Sequence, residues 1–219
     1  MRLLADGLQF RYPSGERPVL ANLSLEVPSG ASAAIVGPSG SGKTTLLSLL
    51  GGLLPPQQGV IRCTDDDGVD HTPADVATWI LQTVSLLPDR TVEDNVCIGA
   101  YLDGAPRDVA RERATLALAA MGLADRAGEP AGVLSGGEGQ RVAIARALAS
   151  TRPVIFADEP TGQLDASTTA VVLDALFALA PRTIVLITHD ETAAARCDII
   201  LHLVDGTLVQ RTDGRGARQ

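Results

Sequence analysis

Gly37-Pro38-Ser39-Gly40-Ser41-Gly42-Lys43-Thr44 is where the chain concentrates residues that do chemistry. Glycines at this spacing let successive backbone N–H groups point at one anion, and the positive end of a following helix adds to the pull. Gly40 and Gly42 tolerate the backbone conformations such a loop requires. Lys43 supplies a compact charge for the outer phosphates of a nucleotide, and Thr44 offers a hydroxyl to Mg2+. The chain uses arginine for 17 of its 18 basic residues and keeps Lys43 as its single lysine. That choice implies a site that needs an ammonium and has no room for a planar guanidinium.

Asp158 and Glu159 form the second cluster, directly after the apolar run Val154-Ile155-Phe156-Ala157. An open parallel sheet presents the carboxyl ends of its strands to a ligand crevice. Asp158 is placed there to hold Mg2+ through water, and Glu159 to orient or deprotonate an attacking water. The other reading is an exposed acidic pair at a strand end.

These residues need a scaffold. Ala33-Ala34-Ile35-Val36 before the glycine loop and the stretch from Thr45 to Leu50 after it read as strand, loop and helix. Residues 8–12 and 19–27 alternate apolar and polar positions, as strands of a small antiparallel sheet do. Asp65-Asp66-Asp67-Gly68 lacks the spacing of a calcium loop and reads as a solvated turn. Residues 91–121 are helical in pattern, clearest over 107–121, where Val109, Leu116, Ala120 and Met121 share a face. They predict an inserted helical lobe over about 83–150, in which Gly136 and Gly137 precede a helix over 140–149. The runs 154–157 and 183–187 have the continuous apolar character of parallel strands covered on both faces, and a helix over 166–180 crosses between them. Residues 199–204 and 207–211 read as a closing hairpin and 212–219 as a frayed tail.

Composition narrows the rest. With 219 residues and 45% apolar content the chain fits one domain with a lobe inserted into it. A net charge of -8, with no basic stripe, speaks against nucleic acid. No secretory leader and no apolar run of about 20 residues is present, so the expectation is a cytosolic chain that meets a membrane only through another protein. Cys63, Cys97 and Cys197 are scattered without metal-ligand spacing and read as structural thiols, as do His71 and His202 as structural histidines.

Leu134-Ser135-Gly136-Gly137-Glu138, running into Gln140-Arg141-Val142-Ala143-Ile144-Ala145-Arg146-Ala147-Leu148, resembles the signature and signature helix of ABC ATPases, and the likeness extends over essentially the whole chain. It implies an α/β P-loop NTPase core with a mainly parallel sheet, an N-terminal antiparallel β subdomain and an inserted helical subdomain. In that family the signature of one cassette closes over ATP held by the glycine loop of another. ATP contacts would then come from residues 37–44, Thr45, and Ser135, Gly136 and Gly137 of the opposite cassette. Gln82, six residues before Pro88, resembles the Q-loop glutamine that touches Mg2+ and signals to the membrane subunit. Asp165 in Gly162-Gln163-Leu164-Asp165 resembles the D-loop aspartate at the dimer interface, with a helix cap as its other role. His189 resembles the switch histidine that senses the γ-phosphate. Tyr12, 25 residues before Gly37, resembles the aromatic that stacks on adenine.

Together with Asp158-Glu159-Pro160-Thr161-Gly162, the signature looks most like cassettes of the lipoprotein-release and macrolide-export group. The resemblance implies an ATPase that dimerises around two ATP–Mg2+, drives a separate integral membrane subunit and sits on the inner face of the cell membrane. Glu138 stands where glutamine is commonest, Gly139 where the subgroup has glutamine, and Gln163 where it has asparagine. Three other readings compete: an importer cassette, a non-transport ABC ATPase of the iron-sulfur assembly type, and a degenerate cassette that only binds ATP. The presence of Glu159, Gln82 and His189 gives the last no support.

Overall fold

The computed structural model describes residues 1–13, 17–162, 164–178 and 181–213. The chain forms two compact units, one of Met1–Ala77, Pro153–Asp158 and the chain from Pro181, the other of Thr78–Arg152 and Glu159 to Ala180.

The first unit opens with an antiparallel sheet in the order β2-β1-β4-β5, made of β1 (Arg2–Phe10), β2 (Leu20–Val27), β4 (Gln58–Thr64) and β5 (Asp70–His71). Leu3, Ala5, Leu8 and Phe10 of β1 are all buried, although strict alternation would turn the last two outward. A register shift between Ala5 and Leu8 restores the inward face. Gly59 lies against that irregularity, where a Cβ would come 2.5 Å from the Asp6 carbonyl oxygen. The acidic run is the turn expected of it: Asp65 Oδ1 accepts the N–H groups of Asp67 and Val69, and Oδ2 meets His71 Nε2 at 2.7 Å.

In the same unit β3 (Ser32–Val36) runs parallel to both β8 (Thr183–Ile187) and β9 (Ile199–Val204), and β7 (Val154–Asp158) runs parallel to β8. Every residue of β7 and β8 is buried, which is why both read as unbroken apolar runs. β10 (Thr207–Asp213) returns along β9 through Asp205-Gly206, whose φ angles of 46° and 73° suit a two-residue hairpin turn. The strand continues to Asp213, so Thr212 and Asp213 pair with β9 where the sequence suggested a frayed tail; residues 214–219 lie outside the described residues.

The first unit also holds a short α2 (Pro73–Val76), and β6 (Ala77–Ile80) follows it in the chain; the second unit is helical, with α3 (Val92–Tyr101), α4 (Arg107–Ala120), α5 (Gly136–Ala149) and α6 (Ala166–Phe177). The buried face of α4 is Ala110, Ala114, Ala117 and Leu118, followed by Met121, while Leu116 is 66% exposed and Ala120 is exposed. The expected stripe was thus partly misplaced: α4 packs through alanines spaced at 3.6-residue periodicity, and residue size alone is a poor guide to which face turns in. α3 and α5 approach to backbone contact at Gly99, where a Cβ would stand 1.9 Å from the Arg146 carbonyl oxygen. Asn95, fully buried on α3, bonds both backbone groups of Leu87, and Arg146 donates to Asn95 O, Asn95 Oδ1 and Ser85 O. These bonds fix the segment that follows Gln82.

Cys63, Cys97 and Cys197 are buried cysteines outside any disulfide, and burial pushes the Cys63 thiol up to about 11. Burial raises the Cys97 thiol as well, and the buried setting of all three suits the structural reading. No helix among the described residues is long and apolar enough to cross a membrane.

Candidate functional site

In the first unit the register places three strand ends on one line. Ile35 of β3 pairs with Ile187 of β8, which pairs with Asp158 of β7. The glycine loop after β3, His189 after β8 and Asp158 itself therefore share the carboxyl edge of the parallel strands. That edge is where an open α/β sheet binds ligands.

The loop between β3 and α1 (Lys43–Leu50) is built by backbone. Gly37 packs so closely that a Cβ would sit 2.0 Å from the Leu203 carbonyl oxygen. Gly42, the helix N-cap with φ 100°, would bring one to 3.0 Å from Val19 O. Ser41 N donates to Pro38 O at 3.3 Å and Ser41 O accepts from Gly206 N at 3.1 Å. Gly40 differs: it is exposed, has φ 79°, and a Cβ there would meet nothing within 4 Å. Pro38 and Ser39 are exposed beside it, so the tip of the loop is open while its roots are clamped.

Lys43 Nζ donates to Gly37 O and Pro38 O, both at 2.9 Å. The ammonium is thereby drawn over the loop mouth with a third N–H left for an anion. Thr44 is exposed at the start of α1, and buried Thr45 lies 3.2 Å from the Tyr12 hydroxyl. Tyr12 packs edge-on against Phe10 with ring centroids 5.0 Å apart, yet stays 42% exposed. One edge is anchored and ring surface remains for a flat ligand. Ser41 Oγ is buried without a hydrogen-bond partner among the described residues. Asp158 is 7% exposed, and the backbone around His189 is held by Asp190 N donating to Thr188 Oγ1 at 3.0 Å, with Asp190 then capping α7 (Glu191–Ala195).

The second unit carries Gln82, Ser135, Gly136, Gly137, Glu159 and Asp165. Gln82 is exposed on the segment after β6. Ser135 is the N-cap of α5 in a reciprocal capping box with Glu138, so Gly136 and Gly137 form the first turn of the helix instead of preceding it. Their N–H groups belong to the unpaired set at a helix start, which makes the segment a second anion-facing end. Glu138 is held below the usual carboxylate range by the Ser135 backbone N–H and hydroxyl, with Arg126 adding to the effect. Asp165 caps α6, and bonds from the Ser167 hydroxyl and from Thr168 keep its carboxyl well below the ordinary aspartate range. Gln163 lies outside the described residues.

Glu159 has φ 48°, a left-handed conformation that a non-glycine residue adopts at a cost, and such strain gathers at functional sites. The turn after it is secured by Gly162 N donating to Glu159 O at 3.2 Å and by Gln140 Nε2 donating to Pro160 O at 3.0 Å. Gln140 is 1% exposed on α5. It links the signature helix to the residue following Glu159, a role sequence reasoning missed because a lone amide in a helix carries no spacing signal. Arg126 was missed too; its guanidinium donates to Glu138 Oε1 at 2.7 Å.

Known proteins match this arrangement. The family described as ABC transporter matches residues 20–162. The lipoprotein-releasing system ATP-binding protein LolD 1 of Rhodopirellula baltica is 40% identical over 221 residues, covering 95% of this chain and 96% of its own length. The macrolide export ATP-binding/permease protein MacB 1 of Yersinia pestis bv. Antiqua is 38% identical over 215 residues, 93% of this chain. The chain spans about a third of the length of such macrolide-export relatives, 33% in that case. Among solved structures, the dimeric bacterial cassette MJ0796 superposes with TM-score 0.85 at 31% identity, over 98% of this chain and 99% of that one. Its post-hydrolysis state, bound to ADP and Pi, gives TM-score 0.86 over the same shares.

Proposed function

The chain belongs to the ABC transporter family, and from that premise we propose that it binds and hydrolyses ATP as a cassette which closes in pairs over two nucleotides and drives a membrane transporter component. The observation that carries this reading is the loop of residues 37–45, whose roots are clamped by backbone contact while Gly40 is exposed and the Lys43 ammonium is held by Gly37 O and Pro38 O. Backbone N–H groups of the loop and the α1 N-terminus hold the phosphates, Lys43 takes the outer ones, and the exposed part of Tyr12 carries the adenine. Ser135, Gly136 and Gly137 of the opposite cassette close the γ-phosphate from the other side, with Asp165 at the shared interface.

Thr44, Asp158 and Gln82 are oxygen donors of the kind magnesium prefers, and they would hold it here. Bound magnesium supplies charge neutralisation at the phosphates. Glu159 orients and deprotonates the attacking water, worth about 10²- to 10⁴-fold in rate. His189, at the end of β8, contacts the γ-phosphate and reports its presence. The likeness to lipoprotein-releasing and macrolide-export proteins supports export or extraction as the work done, with the cassette on the inner face of the membrane.

Two measurements test the reading. Purified chain should hydrolyse ATP, and Glu159→Gln should lower turnover at least 100-fold. The same variant, trapped with ATP, should recover an integral membrane protein in stoichiometric amount from detergent-solubilised membranes of the source cell. Equal turnover in wild type and Glu159→Gln, or soluble partners only, would refute it.

A further inference from the structure

We propose that Arg126 is a positioning residue for the signature serine: through Glu138 it frees the Ser135 hydroxyl to meet a phosphate and offsets the carboxylate charge that would repel one. The inference rests on the reading that Ser135 contacts the γ-phosphate of ATP held by a second cassette.

The Ser135 hydroxyl is engaged twice by a single residue. It donates to Glu138 Oε2 at 2.7 Å and accepts from the Glu138 N–H at 3.3 Å, while Ser135 N donates to the same Oε2 at 2.9 Å. A capping box needs only glutamate or glutamine at this position, so the charge of Glu138 is surplus to capping. It also stands one hydrogen bond from a serine that must meet a polyanion, where like charges oppose each other.

Arg126 removes the contradiction. Its Nη1 donates to Glu138 Oε1 at 2.7 Å, while Nε and Nη2 both reach Glu129 Oε2 at 2.8 Å. The guanidinium thus bridges two carboxylates, one in the loop before the signature and one in the signature helix. The side chains of Arg126 and Glu138 are only 29% and 21% exposed, so water screens the pair incompletely. Arg141 adds a weaker cationic influence on Glu138. When a phosphate arrives, the hydroxyl proton has two acceptors to choose between. By drawing charge from Glu138, Arg126 makes the carboxylate the poorer one, and the hydroxyl turns to the phosphate with no proton changing owner.

The experiment uses the full chain carrying Glu159→Gln, so that ATP is not consumed, and follows ATP-dependent dimerisation by light scattering. Adding Arg126→Met should raise the half-maximal ATP concentration by about tenfold, the scale of one charge-assisted hydrogen bond. Arg126→Lys should keep it within about threefold, and Glu138→Gln combined with Arg126→Met should bring it back toward the starting value. Thermal melting runs alongside; if Arg126→Met does not fold, Arg126→Gln, which keeps a polar group toward Glu129, carries the same comparison. An unmoved midpoint overturns the proposal, and so does a rise that persists with Glu138→Gln, because that marks Arg126 as packing alone. No ATP-dependent dimer in Glu159→Gln itself would overturn the paired-cassette reading beneath it.

Discussion

The loop of residues 37–45 and the signature segment from Ser135 to Gln140 each lead into a helix N-terminus of the kind that can bind an anion, yet they are held by opposite means. The first is shaped by sterics: Gly37 and Gly42 sit where a Cβ would strike backbone of β9 or of the segment before β2, and Lys43 engages the carbonyls of Gly37 and Pro38. The second is shaped by charge, with Ser135, Glu138, Arg126 and Glu129 forming a chain of bonds between 2.7 and 3.3 Å. A clamped backbone admits one geometry and has no adjustable term. A relay of side chains can be shifted by one substitution and restored by another, so the signature segment is the tunable half of the pair.

The largest effect expected from this contrast is at Lys43. Lys43→Arg keeps the charge but cannot direct a compact ammonium between Gly37 O and Pro38 O, and kcat should fall by roughly 10²-fold or more with the melting midpoint held. Turnover within tenfold of wild type would break the claim that the loop admits one geometry. Next in size is a pair of glycines in the same loop. Gly37→Ala must push back the Leu203 carbonyl and should cost about 3 kcal/mol in denaturant unfolding. Gly40→Ala meets no neighbour and should cost only about 1–2 kcal/mol, from its left-handed backbone. Equal costs would show that the roots of the loop are not clamped as described.

The same contrast explains what the sequence made legible. The strands β3, β7 and β8 and the glycine loop between β3 and α1 could be read because continuous burial and positive φ each restrict residue type at one position. The edge shared by Asp158, the loop and His189 was legible only in part: the crossover pattern implies that β7 and β8 run parallel, whereas the place of β3 beside β8 comes from their pairing. The relay through Arg126 could not be read, because it joins positions 12 residues apart across an irregular loop and depends on side-chain direction. Gln140 failed for the same reason, and Leu116 misled because a large apolar residue on an alanine-packed helix faces solvent. The register shift that turns Leu8 and Phe10 inward was invisible too, since the β1 pattern looked like plain alternation from Leu8 onward.

Asp165 offers the smallest and most discriminating test of the charge-held style, because it caps α6 through four bonds to Ser167 and Thr168 and faces no guanidinium in them. Asp165→Ala should lower the melting midpoint by a few degrees at neutral pH, the usual size of a lost N-cap. The folded-state carboxyl sits below the ordinary aspartate value of about 3.9, so its contribution is fully present above that value. It fades as pH falls further toward the depressed value, and the gap between wild type and Asp165→Ala should narrow only below about pH 4. A gap that already closes between pH 7 and 5 would mean that another group titrates at this cap. A gap that stays constant to low pH would mean that the protonated Asp165 carboxyl caps α6 as well as the carboxylate does.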